Sequence, residues 1–259
     1  MIFNYMFILN RYLKFIKSHG FKKASIKFFS TPYRLIIKII YKKKKKNIFS
    51  NNSKEKRFEL IYKKNFWSSK ETSSGLGSEL KNTINLRKEL SAIINEYKFR
   101  RILDAPCGDF NWIKDLITKN IHYTGCDIVE DIIKDNNSKY KNINTKFVKL
   151  DITNDKLPDA DLMICRDCLI HLSFESTKLF LDNFKKSKID YILLTSYELK
   201  DNKSSFINKD IPDGEFREIN MLEEPFNLPE PVKKILDKDQ QTINSAFYCY
   251  MNLYRRDQI

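Results

Sequence analysis

Mid-chain, four short apolar runs end in carboxylates or tight turns, and these ends carry the residues able to do chemistry. The first run, RRILDAPC, ends in Asp104-Ala105-Pro106-Cys107-Gly108-Asp109. Gly108 lets the backbone turn tightly and come close to a ligand, with helix amides expected from Phe110 onward. The second run ends in Asp127, nineteen residues beyond Gly108, followed by Ile128. A carboxylate there can accept hydrogen bonds from both ribose hydroxyls of a nucleoside. The third run ends in Asp151, placed to accept from an exocyclic adenine amine with Ile152 against the ring. The fourth ends in Cys165-Arg166-Asp167, close to where a reacting group would lie.

The elements that must hold these ends follow from the alternation of short β-type runs with helical segments from about residue 100. RRILDAPC, IHYTGCDIV, TKFVKLDI, DLMICRDCLI and DYILLTSY read as five strands. DFNWIKDLI, EDIIKDNNSKY and SFESTKLFLDNFKKS read as the intervening helices, the last capped by Ser173 with Glu175 close behind. Strand–helix alternation implies right-handed crossovers and a mostly parallel, doubly wound α/β sheet. PVKKILDK and AFYCYMNLYRR have no helix between them and read as an antiparallel hairpin that closes one edge. In such a sheet ligands bind beyond the carboxyl ends of the strands, where the order reverses.

Two adenosine cofactors suit an Asp at the second strand end, a nicotinamide dinucleotide and S-adenosylmethionine. The dinucleotide fingerprint needs GxGxxG, so that a pyrophosphate meets the helix end. Here the loop reads G-D-F-N-W-I: Asp109 would push a negative charge toward a diphosphate, and Trp112 stands where a glycine would allow close packing. S-adenosylmethionine has no phosphate and carries an ammonium and a sulfonium, which suits carboxylates.

Methyl transfer is an in-line displacement that the protein mainly aligns, and an alcohol acceptor also needs a base near its proton. Of three histidines, His19 lies in the N-terminal arm and His122 starts a strand at the end away from the ligand. His171, just past the fourth strand, is the one imidazole on the ligand side, with packing at the helix start as its structural alternative. Asp167 is a base, a metal ligand or the partner of Arg166 on this reading, and no residue set is assigned to a metal. Cys165 and Cys168 form a CxxC without a second pair at zinc spacing, so they read as packed thiols. Residues 68–80, SSKETSSGLGSEL, read either as a lid with Trp67 as an apolar wall or as a plain connection. In the insert over 198–229, Arg217 would grip a phosphate or carboxylate of the substrate, or form an ordinary salt bridge.

With those residues in view, the chain resembles a bacterial class I S-adenosylmethionine-dependent methyltransferase. The blocks that carry the likeness are LDAPCGDFNW, GCDIV, LPDADLMICRDCLIHLSF, GEFREIN and PFNLPEP, together with IYKKNFWSSKETSSGLGSEL upstream. It spans about residues 55–256 and implies a seven-stranded Rossmann-like sheet with an antiparallel last strand. By that likeness Asp104, Ala105, Pro106, Cys107 and Gly108 hold the methionine part, Asp127 and Ile128 the ribose side, and Asp151 and Ile152 the adenine, with Cys165 nearby. The loop departs from the wider superfamily in having a single glycine, DAPCGD in place of a GxGxG type. Enzymes of this kind often look like tailoring enzymes for surface glycans, which implies a sugar hydroxyl as acceptor. The alternatives are an RNA methyltransferase recruited by a basic arm and a binding protein that has lost activity. The RNA reading wants stacking aromatics in a basic cleft or an NPPY-like motif, and neither follows DLMICRDC.

Charge divides the chain. The 259 residues carry a formal charge of +14, and residues 1–50 hold thirteen Lys/Arg with no Asp or Glu. The boundary is drawn at 54/55, giving a basic helical arm over 1–54 and a near-neutral domain over 55–259. Segments 2–17 and 33–41 read as short apolar helices, followed by the run Lys42 to Lys46 and a hinge, NNSKEK. Such an arm is a docking helix with a solvated lysine face, a membrane-surface segment or, least in keeping with the body, a nucleic-acid arm. Five cysteines in apolar surroundings suggest reduced thiols. With no signal-peptide pattern and no run of roughly 20 apolar residues, the expected place is the cytoplasm, with peripheral contact at the inner membrane face left open.

Overall fold

β-branched and aliphatic residues that alternate between two faces make the central strands of this chain, because both faces of the sheet are covered. A computed structural model describes residues 39–201, 205–237 and 246–259. Seven strands, β1 (Arg101–Asp104), β2 (His122–Asp127), β3 (Thr145–Lys149), β4 (Leu162–Cys165), β5 (Tyr191–Leu199), β6 (Lys233–Leu236) and β7 (Phe247–Arg255), form one sheet in the order β3-β2-β1-β4-β5-β7-β6. The first five are parallel, and β7 runs antiparallel between β5 and β6. The order reverses between β1 and β4, so their carboxyl ends open onto a crevice.

The two faces divide the core by a period of two. Leu103, Met163, Cys165, Ile192 and Leu194 face one side, where Phe180, Leu181 and Phe184 of α4 (Phe174–Lys185) pack. Ile102, Leu162, Ile164 and Leu193 face the other, against Leu86, Leu90, Ile93 and Ile94 of α2 (Ile84–Glu96). Each such side chain contributes roughly 1.5–3 kcal/mol by leaving water. The remaining long helices are α1 (Lys54–Lys63), against whose length only Ile61 is fully buried, and α3 (Glu130–Tyr140) beside β2 and β3. No helix among the described residues is long and apolar enough to cross a membrane.

Three expectations need correction. DFNWIKDLI is not an α-helix: it forms turns and one 3-10 turn at Lys114–Leu116. Phe110 takes φ +62, and Phe110, Trp112 and Ile113 are all buried, a spacing that a single helical stripe does not supply. NNSKEK is not wholly a hinge, because Ser53 caps α1 by accepting from the Lys56 amide at 3.3 Å. The chain divides into Met1–Ser50 and Asn51–Ile259, so the boundary falls earlier than 54/55 and Lys54 belongs to the larger unit. Within the first unit, residues 39–49 are helical and include the lysine run; the expected helix over 2–17 and residues 33–38 lie outside the described residues, as does His19.

Candidate active site

A cavity of about 370 Å³ opens at the carboxyl ends of β1 to β4, within the range of small-molecule sites. Its floor and sides include Pro106, Cys107 and Gly108 after β1, Asp127 and Ile128 at β2, and Asp151 and Ile152 after β3. Arg166, Asp167 and Cys168 follow from β4, while Trp67, the 73–78 segment, Tyr197 and Phe216 enclose the rest.

Gly108 sits at φ +52, where a Cβ would fall 2.1 Å from the Ser74 hydroxyl oxygen. Its amide donates to Asp127 Oδ2 at 3.2 Å, and its carbonyl accepts from Asn136 of α3 at 2.7 Å. The other Asp127 oxygen accepts from the Val129 amide at 2.9 Å. Burial still raises the Asp127 carboxyl to about 6 against these donors. Asp109 turns away from the cavity: it accepts from Thr72 Oγ1, the Ser73 amide and Ser74 Oγ, at 2.8, 2.8 and 3.2 Å. The serine-rich segment is therefore stitched to the first strand loop as a fixed wall, and Trp67 packs against Gly75, where a Cβ would lie 3.1 Å away.

Asp104, Ala105 and Cys165 are buried and do not line the cavity, which corrects their expected direct contact. Asp104 Oδ2 accepts from the Tyr123 hydroxyl at 2.6 Å, while Oδ1 is buried without a partner. Burial raises its carboxyl to about 7 despite that hydrogen bond. Asp151 does line the cavity, but in the company of a lysine: Lys54 Nζ donates to Oδ1 at 2.9 Å and pairs with Oδ2 at the same distance. Burial opposes its ionisation, yet Lys54 and Thr153 hold the carboxyl below its ordinary value.

Arg166 is a strut rather than a reacting group. Its guanidinium takes Asp237, just past β6, in two-pronged fashion at 2.9 and 3.0 Å, and donates to Ser78 Oγ and the Gly77 carbonyl. Asp167 lies 3.8 Å from it, so the predicted Arg166–Asp167 pair is the weaker contact. Asp167, Asp237 and Cys249 cluster in a way that could hold a cation, and the cation among them is Arg166. Asp167 itself sits at φ +50 on the cavity wall, its amide donating to Thr195 Oγ1 at 2.8 Å. None of the five cysteines forms a disulfide, and all are buried, Cys165 and Cys168 among them.

His171 lines the cavity in a ring stack with Trp67, centroids 4.9 Å apart, and Phe216 lies 6.0 Å away. The 214–217 segment holds it on three sides. The Gly214 amide donates to the His171 carbonyl, the Arg217 amide to Ile170, and His171 Nδ1 lies 2.8 Å from the Glu215 carbonyl. Arg217 is corrected: it is buried, donates to the Leu172 carbonyl and lies over the Phe174 ring, outside the cavity lining. Burial lowers its guanidinium to about 10 against the pull of Asp210 and Asp213. Those two carboxylates cap α4 instead, accepting from the Phe174 and Ser173 amides. Sequence reasoning missed Lys54 and Asp237. Both lie far along the chain from the residues they hold, and a lysine among many lysines carries no local signal.

The loop chemistry now separates the two adenosine cofactors. A pyrophosphate suits the amides of a helix N-terminus, and the residues directly after Gly108 form turns and the 3-10 turn Lys114–Leu116 instead. Residues 102–187 match the family described as a methyltransferase domain. The fold is that of the class I methyltransferases, relatives of which have been solved with bound S-adenosylmethionine. The chain is similar in fold to a 1,6-didemethyltoxoflavin-N1-methyltransferase of Burkholderia thailandensis, with a TM-score of 0.53 and 13% identity over 78% of this chain and 86% of that one. It is likewise similar to a magnesium protoporphyrin IX methyltransferase of Synechocystis, with a TM-score of 0.52 and 11% identity over 80% and 98%. Against human N-acetylserotonin methyltransferase the TM-score is 0.50 at 15% identity, over 76% of this chain and 58% of the human one. No curated protein matches the chain in sequence.

Proposed function

We propose that the chain transfers the methyl group of S-adenosylmethionine to a hydroxyl of a sugar or surface-glycan precursor, with His171 as the base. The observation that carries this reading is the fixed imidazole. A backbone carbonyl only accepts, so the Glu215 carbonyl 2.8 Å from Nδ1 places the proton of the neutral ring there. Nε2 is then the basic nitrogen, as proton removal from an alcohol requires. Trp67 and the half-exposed Phe216 flank the ring and offer apolar faces to the C–H face of a sugar.

The cofactor supplies a methyl already activated by its sulfonium, leaving alignment and proton removal to the chain. In this reading Asp127 accepts from the ribose hydroxyls, Asp151 Oδ2 accepts from the adenine amine beside Ile152, and Pro106–Gly108 bound the methionine end. A small-molecule acceptor is in keeping with the names of the three fold relatives. Phosphate-bearing acceptors such as RNA find less support. The two basic side chains of the lining, Lys54 and Arg166, are each hydrogen-bonded to a carboxylate, and Asp167 adds negative charge.

The test is transfer of a labelled methyl to fractionated extracts containing free sugars, nucleotide sugars, glycans and RNA. Label should enter a carbohydrate fraction, and His171→Gln should lower turnover about 10²- to 10⁴-fold while leaving S-adenosylhomocysteine affinity nearly unchanged. Label in RNA alone would overturn the acceptor. Turnover near wild type in the variant, with acceptor saturating, would remove His171 from the mechanism.

A further inference from the structure

The nucleoside end of the cavity is closed by α1, of which the 54/55 boundary had placed only the first residue in the arm. α1 lays Lys54, Phe58 and Tyr62 into the lining. Polar contacts hold it along one edge: Glu55 to Lys149 at 2.6 Å, Tyr62 to Asp135 at 3.0 Å, and Lys63 to Asp131 at 3.1 Å. With the helix so fixed, the ammonium of its first residue is fixed too.

We propose that Lys54 is a positioning residue that sets the base specificity of the cofactor site by clamping Asp151 as a pure acceptor. This rests on the reading that the Asp151 carboxylate meets the adenine amine. Lys54 Nζ donates to Asp151 Oδ1 at 2.9 Å and to Thr153 Oγ1 at 2.6 Å, and lies 2.9 Å from Asp151 Oδ2 as an ion pair. Its charge is held against the carboxylate on both oxygens. Asp151 Oδ1 also takes the Thr153 amide at 3.0 Å and the Thr153 hydroxyl at 2.8 Å, so three donors saturate it. Oδ2 meets only the Lys54 charge among the described residues, and keeps a lone pair for a donor.

The consequence is selectivity at position 6 of the purine. An exocyclic amine donates to Oδ2. A 6-oxo group in its place sets oxygen against oxygen. Discrimination of this sort is large where a built polar site is left unpaired. Without Lys54 the carboxylate loses the partner that fixes its rotamer and its charge, and the 6-oxo base is rejected less.

The test compares binding of S-adenosylhomocysteine and S-inosylhomocysteine by titration calorimetry on the full chain. Wild type should prefer the adenine form by tenfold or more. Lys54→Met should bring the ratio to within about threefold of unity, as should Asp151→Asn, while Lys54→Arg should restore most of it. Glu55→Gln, which weakens the neighbouring anchor of α1 and spares the clamp, should leave the ratio unchanged. Should Lys54→Met not fold, Lys54→Gln carries the same comparison. A folded Lys54 variant that keeps the wild-type ratio overturns the proposal, and so does an equal loss in Glu55→Gln, which would reduce the effect to helix docking. Wild type binding neither nucleoside would instead remove the cofactor reading, and the proposal with it. Binding with the ratio lost only in the Lys54 and Asp151 variants supports it.

Discussion

Asp104 and Asp127 are carboxylates kept in apolar company, and their titration gives the site a pH signature. Burial places Asp104 at about 7 and Asp127 at about 6, both above the ordinary value of 3.8. A carboxyl raised on folding contributes stability that is fully present below its unfolded value and is lost as pH rises through the folded one. The cofactor-free protein should therefore lose stability from these two groups between about pH 4 and pH 7. Asp104→Asn stays neutral throughout and keeps an oxygen for the Tyr123 hydroxyl. Thermal melts from pH 5.5 to 8 should show wild type falling relative to Asp104→Asn as pH rises. Parallel curves would show that the Asp104 carboxyl is ionised across the whole window.

At the scale of elements, the site is assembled by long-range struts. Arg166 at the end of β4 joins Asp237 beyond β6 to the Gly77–Ser78 wall, and its guanidinium also covers the Trp112 ring at 5.1 Å. Both partners are buried, at 5% and 1% exposure, so removing one leaves an unpaired charge in the core. Asp237→Leu or Arg166→Met alone should each cost about 3–5 kcal/mol, whereas the double variant should cost much less. Urea unfolding of the four proteins measures the coupling, and additive losses would show that the pair is not a unit. This strut was not legible in the sequence, because Asp237 lies 71 residues from Arg166 and nothing local marks the pairing. The strands were legible because LMIC and the ILL of β5 are apolar on both faces. The segment after β1 misled for a physical reason. Asp109 in a first helical turn and Asp109 capping a serine-rich wall look alike in sequence, and only the positive φ at Phe110 separates them. His171 was legible by elimination, whereas its carbonyl partner, 44 residues on, was not.

At the scale of the molecule, charge and chemistry belong to different units. The cavity lies wholly in Asn51–Ile259, and the five consecutive lysines lie in Met1–Ser50 on the helical stretch 39–49. Lys42, Lys43 and Lys46 are exposed, and beside them Ile39, Ile40 and Tyr41 are more than half exposed. Apolar residues and lysines side by side on one helix make a surface suited to an anionic bilayer. Each lysine near an anionic leaflet contributes about 1 kcal/mol, roughly fivefold in partitioning, and salt screens it. The full chain should bind phosphatidylserine vesicles at 0.1 M salt, release them by 0.5 M, and ignore neutral vesicles. Replacing Lys42 to Lys46 by glutamine should weaken vesicle binding by two orders of magnitude or more while S-adenosylhomocysteine affinity stays put. Equal vesicle binding by wild type and the five-lysine variant would reject the membrane role of this run.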